Sequence, residues 1–217
     1  MNAKTVAAAV REKGIIAIVR GVPADRLCEV GRALLEGGVS LMEVTFAPRT
    51  DGRETVRGIA SLCDAFGDRL LVGAGTVLSP RQVDEAASAG ARYIISPDTK
   101  PAVIERTRAL GLCSIPGALT PSEITLAYDS GADFVKLFPV ASLGTEYIRA
   151  LCAPLCHIPL LAVGGVTPDN LAGFLQAGVC GVGVGGSLVS ARRVQDGDFA
   201  KITETARQFT RAMEAAR

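Results

Sequence analysis

Short runs of apolar residues recur along the chain, and a segment with helical periodicity follows each run. The runs are continuous and rich in β-branched side chains, which is typical of parallel strands that are buried on both faces. Their order predicts eight strand–helix units. The predicted strands are 14–21, 40–46, 70–73, 93–95, 112–115, 133–138, 160–163 and 180–184.

Alternating strands and helices imply a parallel sheet, and eight such repeats are the number that closes a barrel. We therefore predict a (β/α)8 barrel, or TIM barrel, in which residues 1–217 form a single α/β domain with an additional helix near the N-terminus. A doubly wound open sheet is the alternative. The barrel is favoured because Gly21, after the first strand, leads to a proline and not into a G-x-G-x-x-G motif.

Lys136 is an exception to the apolar pattern, since it lies between Val135 and Leu137 in the middle of the sixth predicted strand. Burial disfavours the charged form of a lysine and lowers its pKa. Such a residue can supply the neutral amine that attacks a carbonyl and forms a Schiff base. The structural alternative is a lysine at a strand end whose ammonium reaches solvent or pairs with a carboxylate.

Glu43 is a second ionisable residue in an apolar strand, where it is flanked by Met42 and Val44. A carboxylate in such a position is costly unless it is paired or functional. Burial raises the pKa of a carboxyl towards the range of a general acid or base, whereas a neighbouring ammonium lowers it. We predict an acid/base role for Glu43, and a structural ion pair with Arg20 or Lys136 is the alternative.

Glycines follow the last two predicted strands. Gly164 and Gly165 follow the seventh strand, and Gly185, Gly186 and Ser187 follow the eighth. Barrel enzymes bind their substrates in the loops after the strands, and they often bind phosphate after strands seven and eight. Glycine lets the backbone approach an anion closely, and helix N-termini offer it free N–H groups. These loops therefore predict a phosphate site, with simple tight turns as the alternative.

Other candidate residues lie close to predicted strand ends. Arg20 or Arg49 could hold a substrate carboxylate through two hydrogen bonds, although a surface salt bridge is the better interpretation for Arg49. Thr76 could contribute a hydroxyl to the site or cap the helix that follows. Phe138 should point the same way as Lys136 in an extended strand and form an apolar wall beside the imine.

Composition and charge exclude several classes of function. The chain has 23 Lys and Arg against 22 Asp and Glu, without a basic stripe, so neither nucleic acid nor an anionic membrane is an expected partner. His157 is the only histidine, which makes a histidine-based metal site and Ser-His or Cys-His catalysis improbable. The first residues lack a signal-peptide pattern, so we expect a cytoplasmic protein.

In combination, these residues resemble the 2-keto-3-deoxy-6-phosphogluconate (KDPG) aldolase family, which includes 4-hydroxy-2-oxoglutarate and 2-keto-3-deoxy-6-phosphogalactonate aldolases. The resemblance covers nearly the whole chain. Its motifs lie in segments 18–21, 37–45, 73–76, 95–97, 116–117, 135–139, 164–166 and 185–187.

The resemblance implies a class I aldolase in which Lys136 forms the Schiff base and Glu43 is the acid/base. Thr76 and Pro97 match family residues near the bound pyruvate moiety, and Phe138 matches a family phenylalanine. The residues that match the family's phosphate loops are Gly164, Gly165, Gly186 and Ser187. Family members are typically homotrimers and need no metal or other cofactor.

The expected reaction is reversible cleavage of KDPG to pyruvate and glyceraldehyde 3-phosphate, in Entner–Doudoroff carbohydrate metabolism. The chain departs from the phosphogluconate enzymes in two places. Ala47 stands where they have an arginine, so Arg20 or Arg49 would bind the carboxylate, and Val163 replaces a threonine, as in the phosphogalactonate-type branch. The phosphogalactonate analogue and unphosphorylated 4-hydroxy-2-oxoglutarate are thus alternative substrates. A non-catalytic barrel that binds a sugar phosphate is a third interpretation.

Overall fold

The computed structural model describes residues 1–48 and 50–217. In this part of the chain nine strands form one sheet, and helices alternate with them. The strands are β1 (Ile15–Val19), β2 (Leu41–Thr45), β3 (Leu71–Gly75), β4 (Tyr93–Ile95), β5 (Cys113–Ile115), β6 (Gly117–Ala118), β7 (Val135–Leu137), β8 (Leu160–Val163) and β9 (Gly181–Val184). The helices are α1 (Ala3–Lys13), α2 (Leu27–Glu36), α3 (Arg53–Phe66), α4 (Pro80–Ser88), α5 (Pro101–Ala109), α6 (Pro121–Asp129), α7 (Gly144–Cys152), α8 (Pro168–Gln176), α9 (Ala191–Gln195) and α10 (Phe199–Ala215).

The strands are arranged as a barrel. Their order is β5-β4-β3-β2-β1-β9-β8-β7-β6, and every neighbouring pair is parallel. The two outermost strands in this order, β5 and β6, follow one another in the chain with only Pro116 between them. The sheet therefore closes on itself, and the predicted (β/α)8 barrel is confirmed.

Pro116 explains why the structure has nine strands where the sequence predicts eight. A proline has no N–H to donate to a neighbouring strand, so it interrupts the ladder. Before Pro116, β5 pairs with β4, and after it, β6 pairs with β7. The Pro116 carbonyl accepts the N–H of Lys136 at 2.8 Å, and the Ser114 carbonyl accepts the N–H of Phe134 at 3.2 Å. β5 and β6 are thus the two halves of the fifth predicted strand.

Three helices begin with the same local signal. The first turns of α4, α6 and α8 contain Pro80, Pro121 and Pro168. The N–H groups of a first turn have no acceptor within the helix, so a proline there costs no hydrogen bond. A hydroxyl side chain caps each of these helices; the capping residues are Ser79, Thr120 and Thr167. No helix among the described residues is both long and apolar enough to cross a membrane.

Apolar side chains fill both faces of the sheet. The larger cluster lies between the sheet and the helices and includes Val30 and Leu34 of α2 and Phe209 of α10. The smaller cluster fills the barrel interior; it comprises Val6, Val10, Ile16, Leu41, Leu71, Tyr93, Ile95, Cys113, Ile115, Phe134 and Leu161. Burial of both faces accounts for the continuous apolar runs in the sequence.

Helix α1 packs against the N-terminal end of the barrel. Its Val6 and Val10 belong to the interior cluster. The guanidinium of Arg217 donates to the carbonyl oxygens of Arg11 and Glu12 and so satisfies acceptors in the last turn of α1. Because α1 covers this end, the interior is accessible from the opposite end, where the strands have their C-termini.

Glycines on β3 make room inside the barrel for side chains from neighbouring strands. A Cβ atom at Gly73 would overlap the ring of Tyr93, and one at Gly75 would overlap the carboxylate of Glu43. The interior at this level is therefore filled from β2 and β4, with β3 contributing only backbone.

We expect Leu41→Ala to destabilise the protein by about 2–5 kcal/mol, because it leaves a cavity in the barrel interior. Leu78→Ala, in the loop after β3, is the matched control, since Leu78 is 40% exposed and its truncation should cost less than about 0.5 kcal/mol. Urea unfolding measures both values. Equal losses in the two variants would contradict this account of the interior.

Candidate active site

The C-terminal ends of β1, β7, β8 and β9 surround a cavity of about 410 Å³. Nine predicted site residues line it: Arg20, Lys136, Phe138, Val163, Gly164, Gly165, Gly185, Gly186 and Ser187. A second cavity, of about 370 Å³, lies beside the loops after β1 and β2 and carries the carboxylates of Asp51 and Glu54. The first cavity is the better candidate for an anionic ligand because its ionisable groups are basic.

Lys136 lies in the middle of β7, and only 6% of the residue is exposed. Its backbone is fixed in register by Gly117 of β6 and Leu161 of β8. The Nζ atom is 5.0 Å from the centroid of the Phe138 ring, so the two side chains lie together, as their spacing in the strand predicts. Phe138 is 39% exposed, so its ring lies beside the amine and partly at the surface.

Glu43 lies in the middle of β2 and is completely buried. Neither of its carboxylate oxygens has a hydrogen-bond partner among the described residues. It also forms no ion pair with Arg20 or Lys136 in this part of the chain, so the structural ion pair considered from the sequence is not present. A buried carboxylate that lacks a partner is expected to be functional.

Burial raises the pKa of the Glu43 carboxyl above its ordinary value, because an ionised carboxylate is poorly solvated there. The positive charges of Lys136 and Arg20 act in the opposite direction and lower it. Burial is the larger effect. Glu43 is thus close enough to both cations to sense them, and its proton is held more tightly than that of an exposed glutamate.

Arg20 and Thr76 meet at the mouth of the barrel. An Nη atom of Arg20 donates to the Thr76 hydroxyl at 3.4 Å, and Arg20 forms no ion pair within the described chain. Thr76 has φ = 57°, a left-handed conformation that no other non-glycine residue of the described chain adopts. Such strain is common at functional sites. The helix after Thr76 is capped by Ser79, so Thr76 is not its cap.

The loops after β8 and β9 present backbone donors to the cavity region. Gly164 and Gly165 both have positive φ, 98° and 74°, which only glycine adopts at little cost. Within the described chain, the N–H groups of Gly165, Gly186 and Ser187 have no hydrogen-bond acceptor. The Ser187 hydroxyl donates to the carbonyl of Val166 at 2.9 Å and so links the two loops. Unpaired N–H groups on glycine turns suit an anion.

Val163, one of the nine predicted residues that line the cavity, ends β8. Pro97 does not line it, but its backbone packs against Gly117, the residue that pairs with Lys136. Arg49 lies outside the described residues.

Four residues line the cavity that the sequence analysis did not select: Ile18, Val166, Thr167 and Gly183. Ile18 and Gly183 precede Arg20 and Gly185 by two positions and therefore point the same way. The alternation of side-chain direction along a strand could therefore have identified both residues from the sequence. A Cβ atom at Gly183 would come within 2.8 Å of the Val163 side chain, so the absence of a side chain there leaves space for the valine.

Among the described residues, no group of three or more His, Cys, Asp or Glu side chains lies close enough together to hold a metal ion. The ionisable groups that line the cavity are Lys136 and Arg20. The buried carboxyl of Glu43 is close enough to sense both charges. This set suits covalent chemistry at a carbonyl with acid/base assistance and electrostatic binding of anions.

Residues 6–205 match the model of one protein family, described as KDPG and KHG aldolase. The chain belongs to the KDPG and KHG aldolase family. The family and the aldehyde-lyase class predicted from the sequence are therefore confirmed.

Two curated relatives from Escherichia coli K12 support this membership. A 2-dehydro-3-deoxy-6-phosphogalactonate aldolase is 40% identical over 179 residues, which are 82% of this chain and 85% of the relative. A KHG/KDPG aldolase is 32% identical over 222 aligned positions, which cover 100% of this chain and 99% of the relative. The relatives thus include enzymes named for both sugar acids.

Solved structures of aldolases have the same fold as this chain. A native KDPGal structure has a TM-score of 0.85 at 36% identity and covers 93% of this chain and 95% of its own. The KDPG aldolase of Legionella pneumophila, solved with pyruvate captured as a covalent carbinolamine, has a TM-score of 0.83 at 26% identity and covers 93% and 96%. The barrel of this aldolase is therefore that of its family.

The raised pKa of Glu43 predicts a specific pH dependence of stability. A carboxyl whose pKa is higher in the folded than in the unfolded protein contributes stability that is complete below the unfolded pKa and is lost as pH rises through the folded pKa. Glu43→Gln removes this loss. Relative to the unsubstituted protein, its free energy of unfolding should therefore increase as pH rises from the unfolded pKa, about 4.3, through the raised folded pKa.

Urea unfolding at a series of pH values measures this difference. Glu12→Gln is the control, because the hydrogen bond from Lys13 lowers the pKa of the exposed Glu12 carboxyl, so the difference should have the opposite sign and be small. A difference for Glu43→Gln that does not change with pH would show that Glu43 is not held in its protonated form by the fold.

Proposed function

We propose that the chain is a class I aldolase that cleaves 2-keto-3-deoxy-6-phosphogalactonate reversibly to pyruvate and glyceraldehyde 3-phosphate. The observation that carries this proposal is the presence, in one barrel, of a buried lysine and a buried carboxylate without a partner. Each is costly to the fold and each has a role in aldol chemistry. The reaction needs no metal or other cofactor.

Lys136 is the nucleophile. Its neutral amine adds to the C2 ketone of the substrate and gives a carbinolamine, which loses water to form an iminium ion. The iminium accepts the electron pair of the C3–C4 bond when that bond breaks. The Phe138 ring, beside the amine, excludes water from one face of the imine.

Glu43 is the acid/base. Acting through a water molecule, it accepts the proton of the C4 hydroxyl as the C3–C4 bond breaks and glyceraldehyde 3-phosphate leaves. The remaining enamine takes up a proton at C3, and hydrolysis of the iminium releases pyruvate and restores the amine. Because burial raises the pKa of the Glu43 carboxyl, it keeps a proton to return at a higher pH than an exposed glutamate would.

The two ends of the substrate are anions, and the cavity offers cationic or N–H groups at two places. Arg20 would hold the C1 carboxylate, supported by its bond to the Thr76 hydroxyl and by the absence of a competing ion pair in the described chain. Gly165, Gly186 and Ser187 would bind the 6-phosphate through their free N–H groups. Binding at both ends would orient the C3–C4 bond between Lys136 and Glu43.

The choice between the two sugar acids depends on C4, where they differ in stereochemistry. Val163 lines the cavity and offers no hydrogen bond to a substrate hydroxyl. The 40% identical relative is named a phosphogalactonate aldolase, which favours that substrate. KDPG, the substrate first expected from the sequence, is the second candidate, because a KHG/KDPG aldolase aligns with the whole chain.

We extend the proposal to a homotrimer, as the family resemblance implies. Large apolar side chains are exposed on adjacent segments of the surface: Leu110 after α5 and Leu126 and Tyr128 on α6 are 38%, 47% and 38% exposed. Such a surface is typical of a contact between protein chains. Light scattering of the purified protein tests the number of subunits.

Borohydride reduction in the presence of pyruvate should leave one stable adduct on Lys136, located by peptide mass spectrometry, because reduction traps the iminium. Lys136→Ala should give no adduct and lose at least about 10³-fold in kcat. Lys201→Ala on α10, which removes an exposed lysine paired with Glu204, should keep both adduct and activity. Near-normal turnover in Lys136→Ala would end the Schiff-base proposal.

Cleavage of four compounds tests the substrate: the phosphogalactonate and phosphogluconate epimers and their unphosphorylated forms. We expect the highest kcat/KM for the phosphogalactonate, and a loss of about 10²-fold or more without the phosphate, since each lost anion contact costs about 1.5–3 kcal/mol. Ser187→Ala removes the hydroxyl that links the two loops through Val166. It should therefore displace the N–H groups that bind phosphate, raise KM for the phosphorylated compounds and leave the unphosphorylated ones unchanged. Equal kcat/KM with and without phosphate would contradict the role of these loops.

A further inference from the structure

Tyr93 is a buried ionisable residue for which the proposed reaction has no use. It lies on β4, is 0% exposed and belongs to the cluster in the barrel interior. Its ring occupies the space left by Gly73 of β3, where a Cβ atom would overlap three atoms of the ring. A glycine on one strand and a large ring on the next are therefore matched in shape.

The Tyr93 ring and the Glu43 carboxylate lie at neighbouring levels of the interior. Glu43 pairs with Gly73 between β2 and β3, and Gly73 pairs with Tyr93 between β3 and β4. The carboxylate extends over Gly75, while the ring covers Gly73. These two glycines are two positions apart on β3, or about 6.6 Å, so the ring lies on the N-terminal side of the carboxylate, away from the open end of the barrel.

The Tyr93 hydroxyl is directed away from Glu43. It donates to the carbonyl oxygen of Leu71 at 3.4 Å, further towards the N-terminal end of β3. The oxygens of Glu43 receive no hydrogen bond from any described residue. The phenol therefore satisfies its own polar group on β3, and the part of it nearest Glu43 is the apolar ring.

We propose that Tyr93 is a positioning residue whose ring excludes water from the N-terminal side of Glu43 and holds the carboxylate against Gly75, on the side of the open end of the barrel. It acts through Glu43 and does not touch the substrate. The catalytic consequence rests on the proposed function, whereas the effect on Glu43 itself is a property of the resting protein.

The charged groups near Glu43 distinguish the exclusion of water by Tyr93 from a direct effect of charge on the pKa of Glu43. Burial raises the pKa of Glu43, and Lys136 on β7 and Arg20 on β1 lower it. Burial also raises the pKa of Tyr93 well above its ordinary value, and Glu43 and Cys113 on β5 add to that rise, so the phenol stays neutral. Tyr93 thus influences the carboxyl by excluding water, because it carries no charge of its own.

Three substitutions at this position separate the ring from the hydroxyl. Tyr93→Phe keeps the ring and removes the hydroxyl. Tyr93→Leu removes the ring and keeps much of the apolar volume, and Tyr93→Ala opens a space large enough for water beside a polar group. Phe209→Leu is the matched control, because it removes an equally buried ring from α10, outside the barrel interior.

Carbon-13 NMR of protein labelled at the glutamate carboxyl carbon follows the titration directly, with the Glu43 signal assigned by its loss in Glu43→Gln. We expect the midpoint to move to lower pH in Tyr93→Ala and, by less, in Tyr93→Leu. It should not move in Tyr93→Phe or in Phe209→Leu. If Tyr93→Ala does not fold, Tyr93→Leu provides the same test.

Two results would overturn the proposal. One is an unchanged midpoint in both Tyr93→Ala and Tyr93→Leu, which would mean that water is excluded by other residues. The other is an equal shift in Tyr93→Phe or Phe209→Leu, which would mean that the hydroxyl or general loosening is responsible.

The catalytic consequence is measured separately. If the proposed function is right, Tyr93→Leu should lower kcat with KM little changed, and its pH profile should extend to lower pH, while Tyr93→Phe keeps the parent profile. If the protein cleaves none of the aldol substrates, the proposed function fails. The NMR titration still decides the role of Tyr93, since it uses no substrate.

Discussion

The carboxylate of Glu43 lies inside an apolar barrel without a hydrogen bond or ion pair in the described part of the chain, and much of the interior is arranged around it. β3 has a glycine at position 75, and the carboxylate occupies the space that a side chain there would fill. Lys136 and Arg20 are near enough to lower its pKa but not near enough to pair with it. A direct salt bridge would hold Glu43 in its ionised form and the lysine in its charged form. The proposed reaction needs a neutral amine and a carboxyl that can both accept and return a proton.

This arrangement has an energetic cost that the rest of the fold offsets. A buried group that must change its charge during the reaction cannot also have a permanent partner, so its desolvation is not compensated. The compensation comes from the two apolar clusters and from α1, which packs against the N-terminal end of the barrel. Apolar packing thus surrounds the sheet and fills the N-terminal part of its interior, whereas the strained Thr76 lies at the C-terminal ends of the strands.

Most of the fold could be predicted from the sequence, because parallel strands covered on both faces leave continuous apolar runs and prolines mark the helix starts. The break at Pro116 was harder to foresee, since two- and three-residue strands have no periodicity of their own. Lys136 and Glu43 stood out as charges in apolar runs. Tyr93 did not, because aromatic residues are ordinary in a strand, and Ile18 could be found only from its alternation with Arg20. Only the register of the strands reveals that Tyr93 lies beneath Glu43.

The glycines that face the interior have a consequence for how new specificities could arise on this barrel. Where the wall of a cavity consists of glycine backbone, a substitution by alanine adds one methyl group. It changes the shape of the cavity at that point without rearranging a strand. At Gly75 such an addition would collide with Glu43, and at Gly73 with Tyr93, so these positions are closed to change. At Gly185 and Gly186 a Cβ would meet no atom within 4 Å. Evolution can therefore alter in small steps the end of the cavity that is proposed to bind phosphate, while the surroundings of Glu43 stay fixed.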